Sequence, residues 1–386
     1  MGEEQKSSLR TATLELLRKK EGRTATLPFI TRVTDLSKYL CLNNQSKTEI
    51  EQVSEVFPFR VPKFYLSLMD KENPSCPIRM QSLPSWEELG GTGEADPLGE
   101  QRISITSSFL KKYPGRGVFL AGARCAMYCR FCNRRRLVGR YWNPKSSWEE
   151  SFRQMERQTD LKEIIVSGGD PFMLPVSNFA YVMERLKAIE RIKTVRVSTR
   201  IPVVYPEGLL SGHLEALSGI SSLWIVIHIN HPKEISPEFV DAVRRLRGIG
   251  ANILSQTVLL RRVNDCAHIL QSLFETLVSL GIKPYYLFQL DEVMGAGHFK
   301  VRIEEGIRIM RYLRENCSGL AIPYYALDIT GGLGKIPLDY KYLKRRRGKE
   351  VYVESPAGAA GMYTDNGKKS KCASCGVCKG QATQER

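Results

Sequence analysis

Residues 116–136 read RGVFLAGARCAMYCRFCNRRR. A β-rich run, Gly117–Ala121, is followed four residues later by Cys125, Cys129 and Cys132 in C-x3-C-x2-C spacing. The run reads as a strand, and it delivers three thiols to one short loop at its carboxyl end. Further β-rich runs follow at Glu163–Ser167, Thr194–Thr199, Leu223–Ile229, Asn252–Leu259, Tyr285–Leu290 and Ala321–Leu327. Helical periodicity separates them at Trp148–Gln158, Phe179–Ile189 and Pro237–Leu246, the last with Ser236 as N-cap and Pro237 at its first position. Six strand–helix units predict an α/β fold with a parallel sheet, doubly wound or curled into a partial barrel. In such folds ligands sit at the carboxyl ends of the strands, where the cysteines are.

Upstream, residues 1–105 read as a mostly helical region, with candidates at Ser8–Lys20 and Lys47–Val56, closed by a linker at Gly90–Gly93 and Asp96-Pro97. Residues 106–340 form the predicted barrel and 341–386 a cysteine-bearing tail. Of the 386 residues 42% are hydrophobic and 25% charged, as in folded soluble proteins. No apolar run is long enough for a membrane span, and the charged N-terminus lacks an apolar signal core, so the expected location is cytoplasmic. Ten cysteines, six of them in two clusters, point to metal rather than disulfides in such a compartment. The net charge of +16 invites an anionic partner, but the basic run Lys341–Arg347 lacks stacking aromatics or a recognised module. It reads as a solvated edge, and nucleic-acid binding is not expected.

Three thiolates on a four-iron cluster leave one iron open to a chelating ligand. A closed zinc site would need a fourth ligand, and no further Cys or His lies within twenty residues. With Phe131 just before the third cysteine, the loop resembles the radical S-adenosylmethionine (SAM) superfamily. That resemblance implies a [4Fe–4S] cluster on Cys125, Cys129 and Cys132, SAM on the open iron, and its cleavage to a 5′-deoxyadenosyl radical. Ser167-Gly168-Gly169-Asp170, at the end of the second strand, matches the Gly-Gly motif that the superfamily carries near the SAM amino group.

Residues 328–338 read DITGGLGKIPL. The glycine spacing is wrong for a phosphate-binding P-loop, and Ile336 stands where Ser or Thr would be needed. A lysine on a glycine-rich loop is either solvated or placed to form a Schiff base with pyridoxal phosphate (PLP). The cysteine loop, the Gly-Gly turn, Arg200–Val204, His228–Pro232, Gln256–Leu260, Val263–Cys266 and Gly331–Pro337 together resemble the lysine 2,3-aminomutase family, collinearly from about Asp96 to Cys378. The resemblance implies a radical SAM partial (β/α)6 barrel that moves an amino group from the α to the β carbon, most simply of L-lysine. It implies that Lys335 carries PLP, that Arg116 and Gln256 lie near its phosphate, and that His228 lies among the cofactor-binding residues. Arg134 would then pair with the substrate α-carboxylate, a task suited to a bidentate guanidinium. Lys112 stands where the family often has another arginine.

Asp291 and Asp328 fall just beyond two strand ends, where two converging carboxylates would repel unless a cation sat between them. Both match the family's residues for the substrate ε-ammonium. In the tail, Cys372, Cys375 and Cys378 lack a fourth ligand and fit either zinc or a second Fe–S cluster. The family implies zinc, with the residue matching Cys266 contributed by a neighbouring subunit, hence a homo-oligomer, dimer or tetramer. An electron donor such as flavodoxin or ferredoxin is implied as a partner. The same chemistry on glutamate, arginine or a protein-bound lysine is the alternative, and a nucleic-acid-binding metal protein is a more distant one.

Overall fold

The computed structural model describes residues 28–139, 145–365 and 367. Its main sheet has nine strands: β1 (Phe109–Tyr113), β2 (Arg116–Gly122), β3 (Glu163–Gly168), β4 (Thr194–Thr199), β5 (Leu223–His228), β6 (Asn252–Leu259), β7 (Lys283–Gln289), β8 (Tyr324–Ile329) and β9 (Gly334–Pro337). Strands β2 to β8 are parallel and neighbour one another in chain order. Antiparallel β1 and β9 form the two edges, so the barrel stays open. The crossovers carry α2 (Lys145–Arg157), α3 (Val176–Ala188), α4 (Ser211–Leu217), α5 (Pro237–Gly248), α6 (Ala267–Ser279) and α7 (Ile303–Asn316), after α1 (Asn44–Val56) near the start of the described chain. The predicted partial (β/α)6 barrel is therefore present, with a seventh parallel strand and a terminal hairpin.

Local sequence explains these elements. Ser236 Oγ accepts from Phe239 N at 3.1 Å and caps α5, with Pro237 at the first helical position. Leu270, Leu273, Phe274 and Leu277 put a buried stripe on α6 at helical spacing. In β4, Val195, Val197 and Thr199 are buried, whereas the alternate residues Arg196 and Ser198 line a cavity. Period-two alternation thus separates a face packed away from solvent from a polar face that lines the cavity.

The segment before β1 differs from the mostly helical expectation. Asn44–Val56 is formed and capped by Asn43, but the other α-helical pieces between residues 28 and 105 are five residues or shorter. Prolines at 58, 62, 74, 77, 84 and 97 interrupt it. The Ser8–Lys20 candidate lies outside the described residues. The predicted linker near Asp96 is tied down: Glu94 N donates to Glu292 O at 2.8 Å, and Gly331 N to Pro97 O at 2.8 Å. Described residues through Asp339 make one compact unit, and those from Tyr340 a second. The second contains an antiparallel sheet of Leu343–Arg347, Glu350–Glu354 and Ala360–Thr364, whose basic first strand is exposed. No helix among the described residues is long and apolar enough to cross a membrane.

Candidate active site

The cysteine loop leaves β2 and is clamped from behind by the N-terminal segment. Tyr128 N donates to Arg60 O and Arg130 N to Gln81 O, both at 3.0 Å. Arg130, only 1% exposed, makes a two-point pair with Glu88 (2.9 and 2.6 Å) and donates to the carbonyls of Phe57 and Pro58. So held, Cys125, Cys129 and Cys132 all line one cavity of about 600 Å³. Burial, then the Cys132 charge, pushes the Cys125 thiol well up, and burial, then Cys129, raises Cys132 to about 11. Three partly buried thiols facing one cavity fit a cationic iron centre as ligands. Among the described residues no three Cys, His, Asp or Glu side chains are grouped to hold a single metal ion.

The Gly-Gly turn lies against the same loop. A side chain on Gly168 would run into the carbonyl of Gly122, and one on Gly169 into that of Arg124. Instead Gly169 N donates to Gly122 O (2.6 Å) and Asp170 N to Arg124 O (2.7 Å). Ser167 Oγ accepts from Arg134 at 2.7 Å. The Asp170 carboxylate is used within the protein, accepting from Thr199 Oγ1 (2.9 Å) and Arg200 N (2.6 Å), and burial raises it to about 6 despite these bonds. Its visible work is to tie the exit of β3 to that of β4. His228 lies 5.5 Å from the Phe131 ring, with Nε2 3.2 Å from Asn230 Oδ1. Burial, then the Arg200 charge, lowers it to about 3, so the imidazole is neutral.

Toward the amino ends of the strands the cavity is cationic. Lys112 and Arg116 sit 5.2 and 4.6 Å from the Tyr113 ring, and neither has an ion pair among the described residues. Gln256 and Ser198 line the same cavity further along their strands. Two unneutralised cations fit an anion such as a phosphate. Arg196 also lines the cavity but is paired with Glu163.

The hairpin β8–β9 supplies the lysine. Sequence spacing puts Lys335 on a glycine-rich loop; the structure puts it on edge strand β9, directly opposite Asp328. Gly331 and Gly332, with φ of +76° and +72°, close the turn, which is why residues seven apart become cross-strand partners. Lys335 Nζ lies 2.5 Å from Asp328 Oδ2 and 3.9 Å from the Phe288 ring centroid. Asp291 accepts from Asn133 Nδ2 at 2.8 Å and is raised to about 6, by burial foremost and also by the Asp328 charge. The two aspartates are thus brought into one electrostatic neighbourhood with the lysine. Arg134 Nε and Nη2 meet Glu100 Oε1 at 2.8 and 2.7 Å. With Ser167, three of its five N–H groups are engaged, leaving two to be met by a ligand. Cys266 is exposed at the start of α6, while Cys372, Cys375 and Cys378 lie outside the described residues.

Sequence reasoning missed Glu100, Asn133 and Arg200. Asn133 adjoins Cys132, a usable signal, and Arg200 opened a quoted motif without a role. Glu100 sits 34 residues from Arg134 with nothing local to mark the pairing.

The Radical SAM superfamily profile matches residues 120–273. L-lysine 2,3-aminomutase of Escherichia coli (strain K12) is 36% identical over 315 residues, covering 80% of this chain and 92% of that protein. L-lysine 2,3-aminomutase of Bacillus subtilis (strain 168) is 32% identical, covering 86% of this chain and 71% of that protein. Glutamate 2,3-aminomutase of Clostridioides difficile (strain 630) is 33% identical, covering 84% and 80%. The superfamily implies a [4Fe–4S] cluster and SAM, and the aminomutase relatives imply PLP. A cysteine loop on an open parallel barrel, with these relatives along most of its length, makes the chain a radical SAM isomerase that belongs to the lysine 2,3-aminomutase family.

Proposed function

We propose that the chain converts free L-lysine to L-β-lysine. Identity alone does not separate lysine from glutamate, because relatives named for each are about equally similar. The observation that carries the reading is Lys335 itself, whose alkylammonium rests on Asp328 at 2.5 Å beside an aromatic face, with Asp291 close enough to feel the same charge. A lysine ε-ammonium has the same chemistry. A glutamate side chain would bring a third carboxylate to two others, at a steep electrostatic cost. The spare capacity of Arg134 favours a substrate with a free α-carboxylate, and hence a free amino acid over a protein-bound lysine.

When bound, the cofactors supply radical hydrogen abstraction and a carbonyl carrier for the migrating nitrogen. Cys125, Cys129 and Cys132 hold the cluster, and Gly168 and Gly169 keep the neighbouring backbone close enough to receive SAM. Lys112, Arg116 and Gln256 would take the PLP phosphate, and Lys335 would hold the cofactor by its carbonyl end. Asp328 and Asp291 would anchor the substrate ammonium while Arg134 orients the other end. Neutral His228 and the apolar wall of Val226, Val258, Phe288 and Leu290 limit water around the reacting carbons. We extend the proposal to a zinc site of Cys372, Cys375 and Cys378 completed by Cys266 of a second copy, to a flavodoxin or ferredoxin donor, and to a cytoplasmic setting.

The test is anaerobic reconstitution with iron, sulfide, PLP and SAM, followed by incubation with lysine, glutamate, arginine or a lysine-bearing protein. L-β-lysine is the expected product. Robust β-glutamate formation, with lysine inert, overturns the reading.

A further inference from the structure

Arg200 follows β4 and is 7% exposed. Its Nη1 donates to Cys129 Sγ at 2.8 Å, and its guanidinium carbon lies 5.4 Å from the Phe131 ring centroid. Nη2 is held by Gln81 Oε1 (2.6 Å) and Glu234 Oε1 (2.7 Å), and the backbone N by Asp170. Gln81, Glu234 and Asp170 come from three parts of the chain, so the side chain has little freedom to turn from the sulfur. Glu234 is itself met by Tyr65 OH (2.7 Å), Asn230 N (2.6 Å) and His231 N (2.9 Å), which spreads its negative charge over several donors. The Arg200 Nε is buried without a hydrogen-bond partner. An orphan donor on a guanidinium already touching a cysteine ligand fits a group that brings further acceptor sulfurs.

We propose that Arg200 is a positioning residue that raises the reduction potential of the cluster held by Cys125, Cys129 and Cys132. This rests on the cluster assignment but not on the choice of amino acid. Reduction adds one electron, from a one-electron donor, and so one negative charge. A buried cation that hydrogen-bonds a ligand sulfur favours the reduced form more than the oxidised one. The effect is purely electrostatic: Arg200 passes no electron and forms no bond.

The experiment is a potentiometric titration followed by electron paramagnetic resonance, on full-length reconstituted protein without PLP or amino acid. At the wild-type midpoint, Arg200→Gln should show a reduced-to-oxidised ratio roughly tenfold lower, a downward shift of about 59 mV. Arg200→Lys, which keeps the charge, should recover most of the shift. Glu234→Gln, which removes the opposing carboxylate, should move the midpoint upward. This variant also decides the matter if Arg200→Gln fails to fold or load. Unchanged midpoints in loaded Arg200→Gln or in Glu234→Gln overturn the proposal, as does a wild-type chain that loads no four-iron cluster. Failure of lysine turnover would leave the titration result standing.

Discussion

Two glycine-rich turns end strands of the same sheet, and they use glycine for different reasons. At Gly169 the constraint is space alone, because a side chain meets the backbone that enters the cysteine loop, while Gly168 adds a φ of +118° to the same crowding. At Gly331 the constraint is conformation: φ is +76°, and an added side chain would meet nothing within 4 Å. The first turn is part of the wall that shapes the cluster end of the cavity. The second is a hinge point of a hairpin whose purpose is to set Lys335 across from Asp328. A glycine motif therefore reports either a close approach or a backbone state, and only the neighbours tell which.

This contrast is open to attack. The largest effect should come from Gly169→Ala, whose methyl group collides with the Arg124 carbonyl. We expect loss of most iron and sulfide and of deoxyadenosine formation from SAM, as for Ala at any of Cys125, Cys129 or Cys132. A variant with full cluster content would show that the space is not needed. Lys335→Ala should lose the pyridoxyl group that borohydride fixes on the wild type, while keeping the cluster. A label mapped to another lysine would break the hairpin half of the comparison.

Asp291→Asn and Asp328→Asn should each raise KM for lysine about 30-fold, the ~2 kcal/mol of a partly buried charge pair, with cluster and PLP content retained. The pH profile adds a sharper check. Asp291 is raised to about 6, so its carboxylate is lost as pH falls through that value. Lysine affinity should therefore decline below about pH 6, and Asp291→Asn should flatten that limb. The smallest effect belongs to Gly331→Ala: an unfavourable left-handed residue without a clash costs about 1 kcal/mol. It should appear in a denaturant midpoint, with cluster content unchanged.

Much of this was legible in the chain. Strand and helix placement follow from short-range periodicity, and the cysteine spacing is complete within eight residues. The Gly-Gly turn stood out because it ends a readable strand. The Asp328–Lys335 pair could have been read too, had the glycines been taken as a hairpin turn rather than a loop. Between residues 28 and 105 the helical expectation went too far because prolines and tertiary contacts outweigh local propensity there.

What the sequence by itself determined is the chemistry on offer: three thiols in one loop, a lysine beyond glycines, and aspartates at strand ends. The tertiary structure alone decided which groups meet. Asn133 reaches Asp291 across 158 residues, Arg200 reaches Cys129 across 71, and Arg130 reaches Glu88 across 42. The reason is physical. Local sequence sets backbone conformation and which face a side chain takes, but a buried charge is stable only beside its partner. That partner is chosen by how the sheet curls, over separations at which no local pattern carries information.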